Sequence, residues 1–256
     1  MTLDLNVAAA YLADLWRSGR QVEALPPALR PASVEEGYDI QDQLIALLGE
    51  PVLGWKLGVG SRRGKIESGV GRAIAGRVLG ARSFKTGATV PMPDTAPVTV
   101  EFEIAYVLGR DITPADVPGD PWGAVQEIRT TVELVRARYV DRRSVGWPSF
   151  AADNAGFDAL IVGGTVGPTQ LAEVAATAVV LVDGQERART LSGDDVTEVE
   201  TAFTDFVGLA RERGMVLPKG SIISTGTVTK PFVIEGNAMV SARYLDSSID
   251  FKTEIA

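Results

Sequence analysis

Val98–Leu108 reads VTVEFEIAYVL, and its alternation decides the fold. Side chains on a strand point to opposite faces at every step. Val98, Val100, Phe102, Ile104, Tyr106 and Leu108 therefore form one apolar face. Thr99, Glu101, Glu103, Ala105 and Val107 form the other, which is itself partly apolar. Glu101 and Glu103 point the same way, with Cα atoms about 7 Å apart, twice the rise per residue. Two readings stay open for the pair. It is either a solvated edge strand with two ordinary acids, or two confined carboxylates that a cation or a proton must reconcile. A hard divalent ion such as Mg2+ would do so with oxygen ligands and water.

Upstream, Asn6–Ser18 reads as an amphipathic helix capped by Asn6 and closed by Gly19. Ser33 opens a second helix to Leu48, with Glu36 completing a capping box. From Pro51 strand-like runs take over: Val52–Val59, Thr89–Pro91, Leu160–Val166, Thr177–Val182, Ser221–Ser224 and Ala238–Leu245. Trp122–Tyr139 and Asp194–Arg213 read as helices. Helices lead and strands follow without regular βαβ alternation, so the class is α+β. The division expected is a helical region over 1–50 and a β-rich catalytic region over 51–256, in one structural unit.

Composition removes whole classes of chemistry. The 256-residue chain has no His and no Cys. A Ser-His-Asp triad, an HExxH metal site, a zinc-thiolate site, an iron–sulfur cluster, a disulfide and a cysteine nucleophile are all excluded. Proton chemistry must run on carboxylates, Lys, Tyr, Ser, Thr or metal-bound water. A net charge of −8 argues against a nucleic-acid partner, because phosphate binding needs a basic face. No apolar run reaches the roughly 18 residues that span a bilayer. The leading MTLDLNVAAAYLADLW has no basic n-region, so it does not read as a signal peptide, and the expected location is cytoplasmic.

Other motifs carry two readings each. GWKLGVGSRRGK (Gly54–Lys65) fails the P-loop and GxGxxG spacings, since Val59, Ile66 and Arg63 stand where Gly, Ser/Thr and Gly are needed. Lys56 within its apolar strand is either a snorkelling edge lysine or a cation aimed at a carboxylate or enolate. Glu133 in TTVELVRARYVD is either a helix-surface partner of Arg136 or Arg138, or a third metal ligand. Asp153 and Asn154 in FAADNAGFDALIVG serve a turn or a site. Thr225, Thr227 and Thr229 alternate around Gly226, which either makes a tight bend or lets backbone approach a ligand.

The order of these motifs is more specific than any one of them. GWKLGVGS, EFEIAYVLGRDI, VELVRARYVD, FAADNAGFDALIVGG and LPKGSIISTGTVTKP in succession resemble the 2-keto-4-pentenoate hydratase / 4-oxalocrotonate decarboxylase family, of the fumarylacetoacetate hydrolase superfamily. The resemblance spans Gly54 to Arg243. It implies a mixed β-roll core and a Mg2+ or Mn2+ site held by Glu101, Glu103 and Glu133. It also implies that Lys56 and Asp153 act in catalysis, and that Lys56, Asn154, Ser224, Thr225 and Thr227 face the substrate. The implied function is a metal-dependent lyase on a short 2-hydroxydienoate or 2-oxo acid, through a metal-stabilised enolate. Hydratase type is expected, with a decarboxylase, a tautomerase or a catalytically silent scaffold subunit as alternatives. The implied partners are a small 2-oxo acid and further copies of the chain in a homo-oligomer.

The sequence also departs from that pattern. GRAIAGRV (Gly71–Val78) lacks the acid that hydratases carry before a Phe/Tyr-Gly pair, and Glu67 is the nearest substitute. LSGDDVTEV replaces a Gly-His-Pro element, and YLDSSIDF replaces a GSVS-type end. Arg142, Arg143 and Trp147 are expected to line an altered substrate pocket. With no His, the His–Glu water activation of fumarylacetoacetate-type hydrolases is absent.

Overall fold

The structure is a computed structural model that describes residues 3–116 and 120–255. Two helices lead, α1 (Leu5–Ser18) and α2 (Val34–Leu48). Next come β1 (Val52–Gly58), α3 (Arg62–Ser68), β2 (Ile74–Leu79), β3 (Ser83–Lys85), β4 (Thr89–Met92) and β5 (Val98–Leu108). The middle of the chain forms β6 (Val125–Val135), α4 (Gly146–Ala152), β7 (Phe157–Thr165), α5 (Leu171–Thr177), β8 (Val179–Val182) and β9 (Gln185–Arg189). The rest is α6 (Val199–Glu212), β10 (Ile222–Thr227), β11 (Phe232–Ile234), β12 (Ala238–Tyr244) and β13 (Ser247–Ile255).

Two mixed sheets carry the α+β architecture. The larger runs β2-β1-β10-β5-β6-β7-β3, with β11 paired to the outer part of β5. The smaller runs β4-β13-β12-β8-β9. Pairs β1/β10, β3/β7 and β4/β13 are parallel and the others antiparallel. The main core lies between the sheets, where Phe102 of β5 meets Tyr244 of β12 with ring centroids 5.5 Å apart. The leading helices build a second cluster of Leu12, Leu15, Leu25, Ile40 and Leu44 with Tyr139 and Ala152. No helix of the described residues is long and apolar enough to cross a membrane.

The expected strand at Val98–Leu108 forms over those residues, and most others move by a few positions. The largest correction concerns Trp122–Tyr139, expected as a helix. Only Pro121–Ala124 turns, as a 3-10 segment, and Val125–Val135 is a strand. Val132, Val135 and Tyr139 fit a helical stripe, but β-branched Val125, Ile128, Thr130, Thr131, Val132 and Val135 favour a strand. From Thr130 onward β6 is buried throughout, because both of its faces are covered, and the simple alternation is lost there. The expected helix from Asp194 begins at Val199, because Gly193 is left-handed (φ 61°) and Val196 is extended. The run from Thr177 is strand only from Val179, since α5 ends at Thr177. Asp4 caps α1 instead of Asn6, its carboxylate accepting the amides of Asn6 and Val7. Ser33 accepts from the Glu36 amide as expected, while Glu36 reaches back one residue further, to the Ala32 amide.

Candidate metal centre

Four neighbouring strands, β1, β10, β5 and β6, position the candidate groups. Antiparallel register sets Glu101 opposite Glu133 and Glu103 opposite Thr131. Directly opposed residues share a face, so three carboxylates point to one side of the sheet. Lys56 is opposite Ser224, and Ser224 is opposite Ala105, so both join that row. One oxygen from each of Glu101, Glu103 and Glu133 lies within 4.8 Å of the others. Glu103 and Glu133 are fully buried, and Glu101 is partly exposed.

A bulge in β10 shapes the Glu103 site. Ser224 pairs with Ala105 and Thr227 with Glu103, so β10 has one extra residue between them. Gly226 absorbs it with φ 105°, and a Cβ there would stand 3.0 Å from Thr197 Oγ1 and 3.1 Å from the Leu57 carbonyl. The bulge aims the Gly226 amide at Glu103 Oε2, 3.3 Å away. Ser224 donates its hydroxyl to the same oxygen at 2.5 Å. Its single proton is then committed, so Thr131 is the donor in the 2.6 Å contact with Ser224. Glu103 Oε2 is thus held by two donors, while buried Oε1 has none.

Lys56 sits beside Glu133. Its side chain is 2% exposed and its Nζ lies 3.0 Å from Glu133 Oε1. Glu133 Oε1 thus has the ammonium at contact distance, while its buried Oε2 has no donor. Nζ also donates to the Ala155 carbonyl at 3.0 Å and lies 6.0 Å from the Phe150 ring centre. Ala155 belongs to a strained turn: Asn154, Ala155 and Gly156 have φ of 52°, 51° and 68°. Such strain persists only where surrounding contacts over-determine it.

Burial, then the charges of Glu133 and Glu101, push the Glu103 carboxyl well above the usual carboxylate range. Burial also raises Glu133, to about 7, against the opposing pull of Lys56. Carboxyls so placed resist ionisation unless a cation joins them. Two of their buried oxygens, Glu103 Oε1 and Glu133 Oε2, have no donor against them. An all-oxygen set with bare, converging acceptors fits a hard divalent ion.

The remaining candidates divide. Ser224 joins the cluster directly. Thr225 and Thr227 turn their hydroxyls to the carbonyls of Ile104 and Phe102, holding β10 on β5. Asp153 is taken by Arg138, accepting its backbone amide at 2.8 Å and its Nε at 2.6 Å. Asn154 clamps the Arg77 backbone, accepting its amide at 2.6 Å and donating to its carbonyl at 2.9 Å. Glu67 is exposed on α3 and is not among the converging carboxylates. Arg136 and Arg138, considered above as partners of Glu133, pair instead with Asp94 and Asp153. Two contributors escaped the sequence reading. Thr131 could have been found two residues before Glu133 on a strand; the Ala155 carbonyl leaves no side-chain signal. A groove of about 1040 Å³ lined by Arg110, Ile112, Asp116, Asp120 and residues of α6 contains none of these groups.

No family model matches the chain. A 4-oxalocrotonate decarboxylase of Pseudomonas sp is 26% identical over 226 residues, covering 86% of this chain and 87% of its own. A 2-keto-4-pentenoate hydratase of Paraburkholderia xenovorans is 29% identical over 162 residues, covering 62% and 60%. A solved 4-oxalocrotonate decarboxylase from Pseudomonas putida G7, complexed with magnesium and adipate, superposes with a TM-score of 0.86. That superposition covers 98% of this chain and 99% of the other, at 21% identity. The chain is therefore a relative of the 2-keto-4-pentenoate hydratases and 4-oxalocrotonate decarboxylases, and it has the fold of the fumarylacetoacetate hydrolase superfamily.

Proposed function

We propose that this chain is a divalent-metal-dependent lyase for a short 2-oxo acid or its 2-hydroxydienoate form, working as a hydratase. The observation that carries this reading is the convergence of three carboxylates, with bare buried oxygens, beside a buried lysine. Glu101, Glu103 and Glu133 would hold Mg2+ or Mn2+. When bound, the ion supplies Lewis-acid stabilisation of charge that develops on the substrate's oxo oxygen. Ser224 and the Gly226 amide fix the Glu103 carboxylate so that Oε1 stays turned out. Lys56 uses one N–H on the Ala155 carbonyl and its charge on Glu133, which leaves further donors for a substrate carboxylate. Asp153 and Asn154 act as positioning residues: they anchor the strained turn whose carbonyl holds Lys56. The buried Phe150 ring, 6.0 Å from the ammonium, gives it an apolar wall on one side.

Decarboxylation of the same substrate class is the second reading. A 4-oxalocrotonate decarboxylase likeness of 26% identity over 86% of the chain supports it, matched in reach by a hydratase of Paraburkholderia phymatum.

Calorimetry with oxalate, which mimics the chelating head of an enolised 2-oxo acid, tests the reading. Binding with Mg2+ and none with EDTA is expected. Absence of binding in both conditions overturns it and favours a silent scaffold subunit. Product analysis on a short 2-hydroxydienoate then separates the branches: water addition supports the hydratase, and CO2 release from a dicarboxylic substrate supports the decarboxylase.

A further inference from the structure

Arg142 lies in the loop between β6 and α4, outside every strand that holds the carboxylates. Its Nη2 is 3.7 Å from Glu101 Oε1, and the two side chains are 27% and 12% exposed. Its charge also reaches Glu133, where it opposes the rise of that carboxyl. The neighbouring arginines are anchored differently. Arg138 donates to both Asp153 oxygens and to two backbone carbonyls. Arg136 donates to Asp94 and to the Gly19 carbonyl. Among the described residues no hydrogen bond ties the Arg142 guanidinium, and only charge holds it to Glu101. The loop backbone itself is fixed, because Asp141 accepts the Arg143 amide and the Ser144 hydroxyl, both at 2.9 Å.

The cluster thus has a sealed cation, Lys56, at its buried end and a loosely held one at its wet end. A divalent ion arriving at Glu101 competes with Arg142 for the same oxygen. A substrate head bound by Lys56 would leave its tail toward the more exposed end of the cluster, where Glu101 and Arg142 stand. A guanidinium offers paired N–H donors that match a carboxylate.

We propose that Arg142 is a specificity residue. It neutralises Glu101 while the centre is empty, yields to the metal, and then receives the second carboxylate of a dicarboxylic 2-oxo acid. This inference rests on the metal-centre reading above. Asp141 and Ser144 hold the loop, so replacing Arg142 leaves its frame in place.

Calorimetry on wild type, R142A and R142K tests it, first with Mg2+ alone and then, Mg2+ present, with 2-oxoadipate and 2-oxohexanoate. These two acids share a chain length and differ in the second carboxylate. Wild type should prefer 2-oxoadipate by about tenfold, the scale of one charge-assisted hydrogen bond. R142A should lose that preference and bind Mg2+ about threefold or more tightly, and R142K should keep part of the preference. Unchanged Mg2+ affinity in R142A, or an unchanged preference, overturns the proposal. If wild type binds neither Mg2+ nor oxalate, the metal-centre reading itself falls. If it binds both and R142A behaves identically, only the role of Arg142 falls.

Discussion

Glu103→Gln should make the metal-free protein more stable and the metal useless to it. The glutamine carbonyl can accept from Ser224 and Gly226 as Glu103 Oε2 does. Its amide then occupies the place of the bare Oε1 and donates toward the remaining carboxylates. The relief can be sized from geometry. Two unit charges 4.8 Å apart, the limit of the cluster, repel by about 3.5 kcal/mol at an effective dielectric of 20. Proton uptake and Lys56 already relieve part of this, which leaves a gain of about 1–2 kcal/mol. At roughly 2–4 °C per kcal/mol for a chain of this size, Tm in EDTA should rise by about 5 °C. In wild type, Mg2+ at a hundredfold excess over its Kd should add about 2.7 kcal/mol of stability. In the variant that shift should vanish. Thermal melts followed by circular dichroism, in EDTA and in Mg2+, measure both effects. A variant that melts lower in EDTA, or that keeps the Mg2+ shift, would refute the assignment of Glu103 as a ligand held against repulsion.

Two further outcomes follow from the same electrostatics. Glu103 and Glu133 have folded-state pKa values above the ordinary 4.5, Glu133 at about 7, so the metal-free folded state binds extra protons. Its stability should be greatest in acid below that window and fall as pH rises through about 7, and Mg2+ should flatten the trend; a melting temperature in EDTA that rises from pH 5 to 8 would contradict this. Asp153→Ala should cost about 3–5 kcal/mol, because it strands the buried Arg138 guanidinium, while the Mg2+ shift survives. An unchanged Tm in EDTA with a lost Mg2+ shift would instead place Asp153 at the metal.

How far the molecule can be read from its sequence depends on burial. β5 was legible because one of its faces is wholly apolar, so alternation survives and Glu101 and Glu103 stand out. β6 was not, because its second half is covered on both faces and its apolar spacing also fits a helix. Glu133 was nonetheless picked out, through motif order and not through the geometry assumed for it. Lys56 was legible as a cation in an apolar strand, although its partner lies 77 positions away, at Glu133. The Asp153–Arg138 pair was not, since a buried ion pair and a catalytic acid look alike in one dimension. The Arg142–Glu101 contact depends on how a loop folds over a sheet, and no periodicity records that. β13 was missed because YLDSSIDF mixes turn residues with its apolar positions.

The carboxylate cluster is written into ladder register, from β1 through β10 and β5 to β6. A slip of one residue between β5 and β6 would turn Glu133 to the other side of the sheet and put Leu134 or Val132 in its place. Such a slip also breaks core packing, so selection for folding and selection for the ligand set act on the same pairings. Arg142 lies in a loop outside that ladder. On the proposal above, a change at this one position alters what the chemistry acts on and leaves untouched the pairings that hold the three glutamates together.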